Sequence, residues 1–135
     1  MDKEFEFIDA FGDKEILKLE VSYYTTNKRL YIGLTSETEG FSEPYANLTV
    51  NINGACPEYC GYVDTSHFPD AERLIQENGL GEFTGLVGHS GFCNYPLYLF
   101  DCEKLREYAP EGMARYEAEA LGIKKEKQME KGQVR

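Results

Sequence analysis

The chain has 135 residues, with 24 acids against 14 Lys and Arg and a formal net charge of -10. That length suits one domain, and no apolar run approaches the roughly 20 residues of a membrane helix. The acidic balance argues against direct binding to nucleic acid or to an anionic membrane, since both demand a basic face.

The acidic N-terminus, Met1-Asp2-Lys3-Glu4-Phe5, lacks an apolar signal core, so a cytoplasmic chain is expected. Phe5, Phe7, Asp9 and Phe11 suggest a first strand, which Gly12-Asp13 turns back. From Glu15 to Tyr24, Leu17, Leu19, Val21 and Tyr23 share one face while Lys18, Glu20 and Ser22 take the other. Period two is the mark of a half-buried strand. Thr26-Asn27-Lys28 turns the chain into a further strand at Leu30–Leu34. The polar stretch from Thr35 to Pro44 reads as an exposed loop. Tyr45 to Ile52 alternates again, giving the clearest strand signal before Asn53-Gly54 breaks it.

A short strand is predicted over Gly61–Asp64. A helix follows at about 69–78, with Pro69 at its first position and Asn78-Gly79 as its stop. Residues 79–91 hold five glycines and read as loop. Tyr95 to Phe100 returns to strand. Asp101 caps a helix over about 102–108, and Pro110 opens another through about Leu121. Four short strands in residues 1–52 leave no room for parallel crossovers. The expected fold is therefore α+β, a mostly antiparallel sheet of about five to six strands with two to three helices on one side. It occupies residues 1–122 as one domain. Residues 123–135 form a charged tail with little apolar content to bury.

The chemical motifs are sparse. Cys56 and Cys60 are spaced tolerably for zinc, with His67 or His89 as a third ligand, but Cys93 and Cys102 fall at opposite ends of one strand. The bland reading is free thiols in a reducing compartment. Gly88-His89-Ser90-Gly91 misses the glycine spacing of a nucleophile elbow. His67 or His89 could serve Cys93 or Ser90 as a base, though no spacing demands it. The glycine-rich run from Gly79 to Gly85 follows a helix instead of preceding one and contains Glu82, so it makes a poor phosphate cradle. Asp64, Asp70, Glu72 and Glu77 read as dipole complement and solvated helix face. No motif implies a cofactor. Ten Tyr and eight Phe supply sheet packing, with enough Tyr left over to suit a protein interface.

Three segments together resemble a domain-of-unknown-function family of small acidic proteins carried on conjugative and mobile elements of gut bacteria. They are Glu43–Asn51; Val63-Asp64-Thr65 with Pro69–Glu72 and Glu77–Gly85; and Ser90–Phe100. The resemblance covers roughly residues 15–105 and implies a context; it carries no catalytic residue. A binding protein without chemistry is the favoured reading, one whose carboxylates inhibit a host nucleic-acid-acting or defence protein. A protein partner ranks above a small molecule. The alternatives are a binder of a nucleotide-like signal and a Cys/His-dependent hydrolase or zinc protein. Candidate contact residues are Tyr45, Asn47, Asn51, Asp64, Thr65, His67, His89, Ser90 and Tyr95.

Overall fold

The computed structural model describes residues 3–123. Strands β1 (Glu4–Ile8), β2 (Lys14–Tyr23), β3 (Leu30–Thr38) and β4 (Phe41–Asn47) form one sheet in that order. A second sheet has the order β5 (Thr49–Val50), β6 (Cys60–Val63), β8 (Cys93–Phe100), β7 (Gly81–Ser90). All paired strands run antiparallel. The α+β class holds, but the single sheet of five to six strands is corrected to two sheets of four. Helices α1 (Ala71–Glu77), α2 (Cys102–Tyr108) and α3 (Pro110–Arg115) complete the fold, and α3 runs on into a π-helical turn, Tyr116–Ala120. No helix among the described residues is long and apolar enough to cross a membrane. The tail from residue 124 onward lies outside the described residues.

The sheets divide at Leu48. Alternation from Tyr45 to Ile52 reads as one strand, yet the chain changes sheets in its middle. The Leu48 N–H donates to the Ile32 carbonyl at 2.9 Å, and the Leu48 carbonyl accepts from Asp64 N–H at 3.0 Å. The Thr49 hydroxyl accepts from Ile32 N–H at 3.1 Å. Leu48 thus serves both ladders while its side chain is wholly buried. Period two survives because both strands are extended, and the pattern carries no mark of the switch.

One main core fills the space between the inner face of the first sheet, the helices and the second sheet. Leu17, Leu19, Val21, Ile32 and Leu34 meet Leu74, Ile75, Leu105 and Met113, and Val63, Tyr98 and Phe100 join from the second sheet. Each such buried side chain stabilises by about 1.5–3 kcal/mol. The opposite face of the second sheet carries a smaller cluster of Ile52, Cys60, Tyr62, Tyr95 and Leu97.

Pairing between β1 and β2 stops at Lys18, so Leu19 to Tyr23 show β1 no partner. Helix α3 covers that bare edge. It comes so close that a Cβ on Gly112 would lie 2.2 Å from the Val21 carbonyl oxygen.

Two sequence expectations of loop are corrected. β3 continues to Thr38 and turns at Glu39-Gly40 into β4, so Thr35 to Pro44 is a hairpin. It looked like a loop because it buries little. The glycine-rich stretch 79–91 is mostly strand β7. A Cβ on Gly81 would meet the Leu99 carbonyl oxygen at 2.7 Å, and one on Gly88 the Tyr62 ring at 2.5 Å. These glycines admit a close neighbour, a role that period and composition do not display.

The helix ends were well marked in the sequence. Gly79 has φ +64. Its N–H reaches the Gln76 carbonyl, and Leu80 N–H reaches Ile75 at 2.9 Å, the paired bonds of a glycine-stopped terminus. Helix α1 starts two residues after Pro69, and Asp70 accepts from Ala10 N–H and pairs with Arg73 instead of capping the helix. Asp101 does cap α2, accepting from Glu103 and Lys104 N–H at 3.0 and 3.1 Å. Asp101→Ala should lower stability by about 1 kcal/mol, read as a shift of the urea midpoint at unchanged slope. An unchanged midpoint would show that the cap contributes nothing.

Candidate functional site

Strand β6 is buried along its whole length and ends at Val63, which leaves Asp64 at the corner between the sheets. Its carboxylate is buried and accepts from His67 N–H at 3.2 Å and faces His67 Nδ1 at 3.1 Å. The imidazole is otherwise largely exposed. In the same loop, Ser66 places its hydroxyl 3.6 Å from the Cys93 sulfur at the start of β8. Tyr95 lies beneath, its phenol raised above the usual range chiefly by a hydrogen bond to the Cys93 thiol. Asp64, Ser66, His67, Cys93 and Tyr95 therefore meet. Thr65, between them, bonds through its N–H to the Val63 carbonyl.

An aspartate holding a histidine next to a cysteine suggests nucleophilic catalysis, but that chemistry needs the base within hydrogen-bond reach of the thiol. No hydrogen bond joins His67 to Cys93 among the described residues; the thiol's partners are hydroxyls. Asp64 closes the turn Asp64–His67 through the His67 N–H, so the pair also has a plain structural task.

Apart from Ser90, which borders Cys93 in the β7–β8 ladder, the other sequence candidates do not converge on this corner. The Tyr45 ring packs edge-on against Phe68, centroids 5.9 Å apart. Asn47 accepts from the Tyr31 hydroxyl at 2.8 Å. Asn51 pairs with Asn27 at 3.1 Å, tying the β2–β3 turn to the loop after β5. His89 faces Asn94 across the β7–β8 hairpin, and Ser90 pairs with Cys93. Cys56 donates its thiol to the Cys60 carbonyl at 3.3 Å. Burial pushes both thiols up, which disfavours the thiolate that zinc requires. No group of three or more His, Cys, Asp or Glu among the described residues is placed to hold a metal ion.

Three surfaces escaped the sequence reading. First, many carboxylates are engaged internally. Glu37 accepts from Thr35 and Ser42, Glu72 from Tyr98, Glu117 from Tyr59 and Arg106, and Glu119 from Tyr23. By contrast Glu4, Asp13, Glu20, Glu43, Glu58 and Glu111 are exposed, with no cation or hydrogen-bond donor on their side chains among the described residues. Second, a groove of about 330 Å³ lies between α3 and the first sheet, lined by Lys18, Glu20, Thr35, Ser42, Glu111 and Arg115. Third, the β7–β8 hairpin leaves Phe83, Leu86, Val87 and Phe92 exposed. Composition cannot say which apolar residues stay outside. The one available signal was charge: the 22 residues from Gly79 to Phe100 hold a single formal charge, Glu82.

A family model described as Domain of unknown function (DUF4313) matches residues 18–120. The chain belongs to the DUF4313 family. The match runs past the roughly 15–105 covered by the resemblance and takes in α2, α3 and the π-helical turn. The DUF4313 unit thus includes the helices that close the core and cover the edge of β2. No curated protein and no solved structure matches the chain.

Proposed function

We propose that this DUF4313 protein is a non-enzymatic binding protein, an accessory of a bacterial mobile element that inhibits a host nucleic-acid-acting or defence protein. Its carboxylates stand where that partner expects phosphates. The observation that carries the reading is the set of exposed, uncompensated carboxylates on a chain of net charge -10. Unpaired surface charge of one sign attracts a basic partner over a distance and fixes its orientation. Internal pairing of Glu37, Glu72, Glu117 and Glu119 matters too, because within the unpaired set Glu4, Glu20, Glu43 and Glu111 sit on strands and a helix.

The test uses a purified basic nuclease of the host. Duplex DNA should compete with the protein for it, and affinity should fall by about tenfold or more when salt rises from roughly 0.05 to 0.5 M. The combined change Glu4→Gln, Glu20→Gln and Glu43→Gln should weaken binding while leaving the fold intact. A complex indifferent to salt, or one that DNA does not displace, would overturn the reading.

The groove beside α3 favours a second reading, a small-ligand binder. Its mixed charges suit a zwitterion, with Arg115 toward an anionic group and Glu20 or Glu111 toward a cationic one. Isothermal titration with free amino acids, against Arg115→Gln, decides it; no heat with any of them sinks it.

A further inference from the structure

Four strands lie at sheet edges, and three of them are defended. β1 carries Glu4 and Glu6, β4 carries Glu43 and Pro44, and β5 is two residues long with Thr49 buried. Charges, proline and short length are the usual devices that stop one sheet edge from pairing with another. β7 is the exception. It is ten residues long, has one charge at its start and no proline, and bares Phe83, Leu86 and Val87, with Leu86 63% exposed. Its one device is a bulge between Phe83 and Val87. The bulge interrupts the ladder, yet it also pushes Leu86 outward and leaves Val87–Ser90 as a regular edge.

From this contrast we infer that β7 is a self-association edge, where a second copy of the chain docks β7 against β7 about a two-fold axis. Charge selects the occupant. A basic partner would bring cations to a hairpin that offers them one carboxylate. Two copies, each at -10, can approach closely only where the facing surfaces are almost uncharged, and Gly79–Phe100 is that surface. Isologous contact closes at two copies. The far edge of the same sheet is β5, only two residues long, so the assembly cannot grow into a fibre. Phe83, Leu86 and Val87 from each copy form the apolar seam, and the Val87–Ser90 edges supply backbone hydrogen bonds.

The inference goes beyond the inhibitor reading and is tested on the chain alone. Sedimentation of the intact protein from roughly 5 to 500 µM should show monomer passing into dimer, the weak regime expected of a small interface. The dimer should strengthen with salt, which screens repulsion between like-charged bodies. That is the reverse of the effect expected for a basic partner, so the two proposals fail separately. Leu86→Asp, and independently Val87→Asp, should weaken dimerisation by about tenfold or more, with unchanged circular dichroism, because each sets a repulsive, desolvated carboxylate on the seam. A wild-type chain that stays monomeric over the range, a folded variant that dimerises as well as wild type, or a dimer that salt dissolves would overturn it.

Discussion

Tyr98→Ala should cost about 3–5 kcal/mol, in the range for truncating a buried aromatic and comparable to the whole stability of a small domain. Tyr98 is fully buried, packs against Phe83 and Phe100, and donates its hydroxyl to Glu72 at 2.7 Å. The change leaves a void between β8 and α1 and deprives Glu72 of its donor. Tyr98→Phe separates the two effects, since it keeps the ring and removes only the hydroxyl, which donates to Glu72 and accepts from Gln76 Nε2 at 3.3 Å, for about 1–2 kcal/mol. The phenol also sets an alkaline limit. Burial first, and the Glu72 carboxylate second, push its pKa up to about 12. The folded state keeps a proton that the unfolded chain releases near pH 10, so this stabilisation is complete below pH 10 and is lost as pH rises toward 12. At about 1.4 kcal/mol per pH unit, about 3 kcal/mol disappears over that window. Urea midpoints between pH 8 and 12 should fall steeply for wild type and less steeply for Tyr98→Phe. Parallel curves would show that Tyr98 is not the group responsible.

Gly112→Ala is the second large effect, and its sign runs against helix propensity. In an exposed helix this change gains about 1 kcal/mol. Here the new methyl would sit 2.2 Å from the Val21 carbonyl oxygen and 3.0 Å from its carbon. Both are backbone of a strand held by β3 and cannot yield as a flexible side chain would. Helix α3 must lift from β2, and the net outcome is a loss of about 2 kcal/mol or more. Thermal melts should show a lowered midpoint. A raised midpoint would mean that α3 does not rest on the β2 edge.

Local signals were readable wherever one residue's chemistry settles one local bond. Asp101 before Cys102 and Gly79 before Leu80 needed only the helix end beside them, and both performed as written. The alternation of Leu17, Leu19 and Val21 found the inner face of β2 for the same reason. What escaped depends on chain segments far apart. Gly81 and Gly88 look like loop residues until Leu99 and Tyr62 lie against them. Leu48 looks like any inward strand residue until Asp64 N–H arrives to claim its carbonyl. Among the site candidates, Asp64 and His67 are three residues apart, and their contact could be anticipated. Ser66 and Cys93 are brought together by the antiparallel register of β6 on β8, a pairing between segments far apart in sequence. The exposed apolar side of that hairpin was invisible, since a sequence reports that Leu86 is apolar but says nothing about whether it is covered.

The way α3 shields β2 has a bearing on how the chain is born. Half of a central strand waits for a helix that lies far downstream of it in the chain. Until then a nascent polypeptide emerging from the ribosome carries Leu19 to Tyr23 as an unsaturated template, open to any stray extended segment. Completion is delayed further because Lys3 N–H bonds to the Tyr108 carbonyl, joining the entry of β1 to the end of α2 across a long sequence separation. Such long-range closure predicts slow folding, and a dependence on helpers that hold the unfinished product apart from its neighbours.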